Sequence, residues 1–180
     1  MKSALISLGL CMMAGTSLAQ ADNLGIPQAQ VLPTLAKAAE QLSLDFSPGR
    51  GECLPFRCSW EMGHAVRLSA AVMDGTSTYQ LEVAWNNGDK ASTPTSFQRF
   101  RDICLVVVAT AYRGAEKPEM ERIAQKISTF EGNGGRAMQP EERTAKVVFY
   151  GTKSRPVAPA KNGEAFFQCG AIANTSGSLN

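Results

Sequence analysis

Four cysteines, Cys53, Cys58, Cys104 and Cys169, lie beyond the apolar N-terminal segment of this 180-residue chain. In an exported chain they are most simply two disulfide bonds, although the sequence allows three pairings. We favour Cys53 with Cys58, because Pro55 helps the chain to turn between them, and Cys104 with Cys169. The second bond would close a loop of about 66 residues, stabilise the fold by about 4 kcal/mol and tie a central helix to the last strand.

The alternative use of these cysteines is a redox-active pair. Such chemistry needs a close dithiol, typically Cys-x-x-Cys at a helix N-terminus that stabilises the thiolate. The four-residue spacer between Cys53 and Cys58, with Pro55 inside it, fits this requirement poorly. We therefore expect both bonds to be structural.

The N-terminal segment has the three-part pattern of a secretory signal peptide. A basic start is followed by an apolar run over residues 4–14 and by small residues at Ala19 and Ala21. The run is too short, and too interrupted by serine and glycine, to span a membrane permanently. We expect residues 1–21 to be cleaved, Cys11 to be discarded with them, and the protein to reach the periplasm or the extracellular medium.

Composition favours one domain over residues 22–173, with 174–180 as a flexible tail. The chain is 44% hydrophobic and 19% charged, a balance typical of globular proteins. Its formal charge of +2 gives no global excess of Lys and Arg, so we expect no nucleic-acid partner. A single histidine and four oxidised cysteines leave too few ligands for zinc, so we expect no metal or cofactor. No second apolar segment is long enough for a membrane span after cleavage.

The first half of the chain carries a helix pattern and a hairpin pattern. Helix-forming residues with one apolar stripe begin at Pro33 and end before Ser47. Apolar and polar residues then alternate over 65–73 and again over 79–85, with Asp74-Gly75 as a turn signal between them. We predict a first helix followed by an antiparallel hairpin with one buried face.

The second half carries two helix patterns and a second strand pair. Apolar residues at helical spacing follow Pro94 as far as Ala111, and another amphipathic pattern covers 117–130. Residues 144–152 and 164–173 are strand-like. The predicted class is α+β: an antiparallel sheet of about four strands, in two hairpins, with the N-terminal helix and the central helix pair on one face.

Residues that could support catalysis are few. His64, at the entrance to the first predicted strand, is the only available histidine base, and no Gly-x-Ser-x-Gly motif accompanies it. Glu52 and Glu61 flank the short cysteine loop, and a disulfide there would draw the two carboxylates together, as acid and base chemistry without histidine requires. These three residues are weak candidates, because such side chains are usually solvated surface groups.

A binding surface is the stronger hypothesis. Phe56, Arg57 and Trp60 lie in or beside the cysteine loop, and aromatic and arginine residues are over-represented at interface hot spots. The disulfide would stiffen this loop before binding. The competing interpretation is that Phe56 and Trp60 cap the open end of the sheet, and the sequence supports both equally.

These features predict an exported, periplasmic, non-enzymatic protein-binding module, such as an inhibitor, an immunity protein or an envelope-accessory protein. Its partner would be another exported or envelope protein, and the sequence carries no signal for an oligomeric state. The alternative is a small envelope hydrolase that uses His64, or Glu52 and Glu61.

Overall fold

An antiparallel sheet forms the larger part of the fold. The computed structural model describes residues 23–72, 76–88, 93–129, 141–144, 146–154 and 165–174. These residues contain eight strands, three helices and one turn of 3-10 helix. In chain order the elements are β1 (Ile26–Pro27), the 3-10 turn (Gln28–Gln30), α1 (Val31–Leu42), β2 (Gly51–Leu54), β3 (Arg57–Glu61), β4 (Val66–Val72), β5 (Ser77–Asn86), α2 (Ser96–Ala111), α3 (Lys117–Ser128), β6 (Glu141–Arg143), β7 (Val147–Ser154) and β8 (Phe166–Ala173).

The strands follow the spatial order β2, β3, β4, β5, β8, β7 and β6, and β1 pairs with the first residues of β5. Every pairing is antiparallel. Leu68 of β4 lies opposite Val83 of β5, which lies opposite Cys169 of β8. Because residues directly opposite each other share a face, these three side chains define the buried face of the sheet.

Helix α2 lies on this buried face. It packs on β4, β5 and β8 and is flanked by α1 and α3. Its second half is buried on most sides, as Val106, Val107 and Val108 are all fully buried. A disulfide joins Cys104 of α2 to Cys169 of β8, and both residues are inaccessible to solvent. This is the predicted tie between the central helix and the last strand.

Helices α1 and α3 complete the helical layer. The apolar stripe of α1 runs from Val31 through Leu35 to Leu42, and the helix ends at Ser43, whose φ of 57° is left-handed. Helix α3 packs on β7 and β8 through Ile123, Ala124 and Ile127. Within the described residues, no helix is long and apolar enough to cross a membrane.

The α+β class, the antiparallel sheet and the two disulfides agree with the sequence prediction. The expectation of about four strands was wrong, because the described residues contain eight. Strand β2 is exposed on both faces, so it shows no alternation of apolar and polar residues. Strand β6 has three residues and, within the described part of the chain, pairs with β7 alone, while β1 has two residues. Strands this short carry almost no periodic signal.

Several predicted features fall outside the described residues. These are the signal peptide over 1–21, the turn at Asp74 and Gly75, and all of the tail beyond Asn174. The strands on either side of that turn, β4 and β5, pair as the predicted hairpin.

Candidate functional site

The tip of the β2–β3 hairpin, residues 53–58, is held by a disulfide. Cys53 and Cys58 lie directly opposite each other, with their Cα atoms 4.0 Å apart. The turn between the strands ends at Phe56, whose carbonyl oxygen accepts a hydrogen bond of 2.9 Å from the amide of Val72. The hairpin tip is therefore closed by its own disulfide and also tied to β4.

Two large apolar side chains protrude from the hairpin tip. Leu54 is 59% exposed and Phe56 is 68% exposed. They are the exposed large hydrophobic residues of the described part of the chain, in which the other large apolar side chains are buried or half-buried. Leu54 is on an edge strand and Phe56 is in the turn beside it, because among the described residues β3 is the one neighbour of β2.

Arg57 leaves the hairpin tip and lies along the sheet face opposite the helices. Its Nη2 atom donates to Ser69 Oγ at 2.8 Å and lies 3.1 Å from Glu82 Oε1. These contacts reach from β3 across β4 to β5. The side chain keeps 57% of its surface exposed, so the guanidinium is anchored and also accessible.

Glu82 also accepts a hydrogen bond from β7, which lies on the other side of β5 from Arg57. The Tyr150 hydroxyl of β7 donates to Glu82 Oε2 at 3.0 Å, and Gln80 donates to the phenol oxygen at 2.5 Å. Burial and the nearby charge of Glu82 raise the pKa of Tyr150 above its ordinary value. The phenol therefore remains a neutral donor, and the network crosses β3, β4, β5 and β7.

A glycine in β8 makes room for this network. A Cβ atom at Gly170 would lie 2.6 Å from the Tyr150 hydroxyl and 2.6 Å from the Leu81 carbonyl oxygen. Gly170 pairs with Glu82 on one side and with Tyr150 on the other. The absent side chain lets the tyrosine lie over β8 and reach the carboxylate.

Trp60 lies apart from the exposed residues of the hairpin tip. Only 8% of it is exposed, and it belongs to the hydrophobic core. A Cβ atom at Gly51, directly opposite in β2, would overlap the indole ring. The sequence had grouped Trp60 with Phe56 and Arg57 as one contact surface, but the structure separates it from them by its burial.

Glu52 and Glu61 line a common cavity of about 410 Å³ at the open end of the hairpin, which we call the hairpin-base cavity. Both side chains are on the face opposite the helices, since Glu52 pairs with Ser59 and Glu61 with Arg67. The remaining lining residues are Arg50, Gly51, Ser59, Trp60 and Arg67. The structure thus brings the two carboxylates to one site.

His64 lines a second cavity, of about 610 Å³, between the loop that follows β3 and the start of α2. Its Nδ1 atom lies 3.2 Å from Thr93 Oγ1 and 3.4 Å from Thr95 Oγ1. The backbone of Gly63, His64 and Ala65 is left-handed, with φ of 77°, 54° and 61°. Two successive non-glycine residues in this region are unusual and carry conformational strain.

Polar side chains that line the second cavity form hydrogen bonds with neighbouring groups of the protein. Arg99 donates to the carbonyl oxygens of Met62 and Asp45 at 2.9 and 2.7 Å, and it also pairs with the Asp45 carboxylate at 3.2 Å. Gln98 donates to Asp102 at 2.7 Å. The Arg99 contacts connect α2 to the preceding loops, so they have a structural role, while the bond between Gln98 and Asp102 lies within α2.

Metal coordination has no support in the part of the chain that the structure describes. No group of three or more His, Cys, Asp or Glu side chains there is placed to hold an ion. The four cysteines of the described residues are all used in disulfides.

Sequence reasoning did not select Leu54, Glu82 or Tyr150. Leu54 could have been found, because it lies inside the cysteine loop beside Pro55. Glu82 and Tyr150 are 68 residues apart, and only the pairing of β5, β8 and β7 brings them together.

No protein-family model, curated protein or solved structure matches this chain. Its function has to be argued from its own residues.

Proposed function

We propose that this protein is an exported, non-enzymatic protein-binding module whose contact surface is the hairpin tip. The observation that carries the proposal is the exposure of Leu54 and Phe56, at 59% and 68%, on a turn closed by a disulfide. Burying an exposed Leu or Phe side chain in a partner contributes about 1.5–3 kcal/mol. Two such side chains on one turn fit the apolar core that a typical protein interface has inside its polar rim.

The rigidity of the hairpin tip supports the same proposal. The disulfide and the Val72–Phe56 hydrogen bond hold the turn before any partner arrives, which lowers the entropy cost of binding. Arg57 stands beside the apolar pair and is oriented by Ser69 and Glu82. An anchored arginine at the rim adds a directional contact for a carboxylate or carbonyl group.

The shape of the hairpin tip suits a partner that offers an apolar pocket with an acceptor at its rim. An inhibitor, an immunity protein or an envelope-accessory protein would each be a binding module of this kind. The two disulfides are consistent with an oxidising compartment, so the partner would itself be exported or exposed at the cell envelope.

Photo-crosslinking tests this proposal. Phe56 is replaced by p-benzoylphenylalanine, which keeps an aromatic side chain at the turn, and the protein is produced in its own cells. We expect one discrete crosslinked product at position 56. The matched control carries the same amino acid at Lys37, an exposed position on α1.

Competition makes the result specific. Added wild-type protein should abolish the product, while a Leu54→Ser/Phe56→Ser competitor should leave it in place. A product that both competitors abolish equally, or one that forms equally well at position 37, would contradict a binding surface at the hairpin tip.

A second candidate function, a small hydrolase, is favoured by one specific observation. His64 contacts the Thr93 and Thr95 hydroxyls in a cavity of about 610 Å³, and its backbone is held left-handed. A hydroxyl hydrogen-bonded to a histidine is the arrangement of an activated nucleophile and its base. His64→Ala should abolish turnover of ester or amide substrates if this function is real, and it should leave the crosslink at position 56 unchanged if the protein is a binding module.

A further inference from the structure

The disulfide of the hairpin tip is the more accessible of the two disulfides. Cys53 is exposed in β2, whereas Cys58 keeps only 1% of its surface exposed and belongs to the hydrophobic core. The two ends of this bond therefore lie in different surroundings. The other disulfide joins Cys104 to Cys169, and both of these residues are fully buried. A thiol in solution can therefore reach the hairpin bond, and it meets the Cys53 end first.

The direction of the hairpin bond also favours attack at Cys53. A thiolate attacks a disulfide in line with the S–S bond, from the side away from the sulfur that leaves. The bond runs from β3 to β2, and among the described residues β3 is the one neighbour of β2. Approach to the Cys53 sulfur is therefore from the open edge of the sheet. Approach to the Cys58 sulfur is from the side of β4, where the opposite residue, Ala70, is itself 1% exposed.

A hydrogen-bond donor lies against the sulfur of Cys58. The side-chain Nε2 of Gln28 donates to Cys58 Sγ at 3.1 Å. Gln28 begins the 3-10 turn, and its backbone amide is held by a hydrogen bond of 2.9 Å to the Thr76 carbonyl oxygen. A disulfide sulfur is neutral and gains little from this donor, since sulfur is a weak acceptor. A thiolate gains more, because hydrogen bonds to charged groups are roughly twice as strong as those between neutral groups.

We propose that the hairpin disulfide is a site of thiol–disulfide exchange, at which the thiolate of an external dithiol attacks Cys53 while Cys58 leaves with the help of Gln28. The protein is then the substrate of a thiol reductant, a role different from that of a catalytic Cys-x-x-Cys pair. The incoming sulfur forms a bond to Cys53 Sγ, the bond between the two cysteines breaks, and its electron pair leaves on Cys58 Sγ. The second thiol of the dithiol then displaces Cys53. The dithiol departs as a disulfide, and its two protons pass to Cys53 and Cys58.

Exchange at this bond would loosen the hairpin tip and leave the rest of the fold closed. The disulfide is one of two ties on the turn, and the other is the hydrogen bond from Val72 to Phe56. The bond between Cys104 and Cys169 stays closed because both residues are buried. This chemistry does not depend on the proposed protein-binding function, since it needs no partner on the apolar side chains of the turn.

Glutathione tests the direction of attack, because a monothiol marks the cysteine that it attacks. Trypsin cuts after Arg50, Arg57 and Arg67, so Cys53 lies in the peptide 51–57 and Cys58 in the peptide 58–67. The folded, oxidised protein is incubated with glutathione, quenched in acid, alkylated with N-ethylmaleimide in denaturant and digested without reduction. Mass spectrometry then measures glutathione and maleimide on each peptide. The earliest time points report the attack itself, before the Cys58 thiol displaces the adduct.

Glutathione should appear on 51–57, with maleimide on 58–67, at least about tenfold more often than the reverse arrangement. Dithiothreitol should instead give maleimide on both peptides and leave Cys104 and Cys169 unlabelled. Gln28→Leu keeps the size of the side chain and removes the donor. It should slow the attack about fivefold, as expected for one hydrogen bond to a partly developed charge. Gln30→Leu, at an exposed position of the same turn, is the matched control and should react like the wild type.

Three results would overturn the proposed exchange. The first is glutathione on both hairpin peptides equally, or mainly on 58–67, because the attack would then not come from the open edge. This result needs only the wild-type protein. The second is labelling of Cys104 and Cys169 as fast as that of the hairpin cysteines, because the reaction would then require unfolding of the whole protein. The third is equal rates for Gln28→Leu and Gln30→Leu, because Cys58 would then leave without help from Gln28.

Discussion

The hydroxyl of Tyr150 in β7 donates a hydrogen bond of 3.0 Å to the carboxylate of Glu82 in β5, across the intervening strand β8. The contact is possible because β8 has Gly170 at the crossing point. From Glu82 the network continues to Arg57 beside the hairpin tip. One polar chain of contacts therefore joins the two halves of the sheet on the face away from the helices.

Tyr150→Phe should lower the free energy of unfolding by about 1 kcal/mol, the usual net contribution of a hydrogen-bonded hydroxyl. It removes both the donor to Glu82 and the acceptor of Gln80. Urea unfolding followed by circular dichroism measures the change. Tyr79→Phe is the matched control, because the Tyr79 hydroxyl has no partner within the described residues, and it should change stability by less than about 0.5 kcal/mol. Equal losses in the two variants would contradict a role for the network.

The two disulfides should contribute unequally to stability. Replacing Cys104 and Cys169 by alanine removes a bond between residues 65 apart in sequence and should cost about 4 kcal/mol from loop closure. Replacing Cys53 and Cys58, which are 5 apart, should cost about 2 kcal/mol. Denaturant titration of both double variants measures this order, and a larger loss from the hairpin pair would contradict it.

The ion pairs between α3 and β6 should make stability fall at acidic pH. Hydrogen bonds from Arg122 and Lys126 lower the pKa of Glu142 below its ordinary value of 4.5. The unfolded chain therefore takes up this proton at a higher pH than the folded protein does. The stabilisation is fully present above about pH 4.5 and is lost as the pH falls through the folded-state pKa.

In Glu142→Gln, the urea concentration at the unfolding midpoint should accordingly fall less steeply as the pH is lowered below about 4.5. Measuring that midpoint at a series of acidic pH values provides the test. Glu40→Gln, at an exposed position whose side chain has no partner within the described residues, should leave the curve unchanged. If the urea midpoint of Glu142→Gln falls with pH as steeply as that of the wild type, the ion pairs of Glu142 do not stabilise the folded state.

Two aromatic residues of the same hairpin should differ in their effect on folding. Trp60→Ala empties a core position and should cost about 3–5 kcal/mol, whereas Phe56→Ala removes an exposed ring and should change stability by less than about 0.5 kcal/mol. Thermal and urea unfolding of both variants measure the difference. A large loss for Phe56→Ala would mean that its ring packs in solution and is not free to contact a partner.

The longer helices and strands of this fold could be predicted because the spacing of apolar residues in each one follows the period of its buried face. Val66, Leu68 and Ala70 alternate with exposed or polar neighbours in β4, and Ile103 and Val107 mark the buried face of α2. The expected pairing of the cysteines agrees with the bonds observed. The exposed edge strand β2 could not be predicted in the same way, since neither of its faces is buried.

The candidate sites were predicted less completely. The loop with Phe56 was selected from its composition. Glu52 and Glu61 were expected to be drawn together by the disulfide, and in the structure both line one cavity at the open end of the hairpin. Packing of Trp60 against the sheet was one of two interpretations that the sequence supported equally, and the sequence did not decide between them. Arg57, Ser59 and Glu61 alternate with Cys58 and Trp60 in β3, so the sequence did contain the period of two that puts Trp60 on the buried face.

The sequence by itself determined the α+β class, the main helices, the central hairpin and the positions available for disulfides, because periodicity and turn chemistry act over a few residues. Strand order and register depend on the tertiary structure, and with them the contact between Tyr150 and Glu82 and the cavity that Glu52 and Glu61 line. Long-range strand pairing depends on how whole faces pack together. No local pattern records which residues from distant segments will meet.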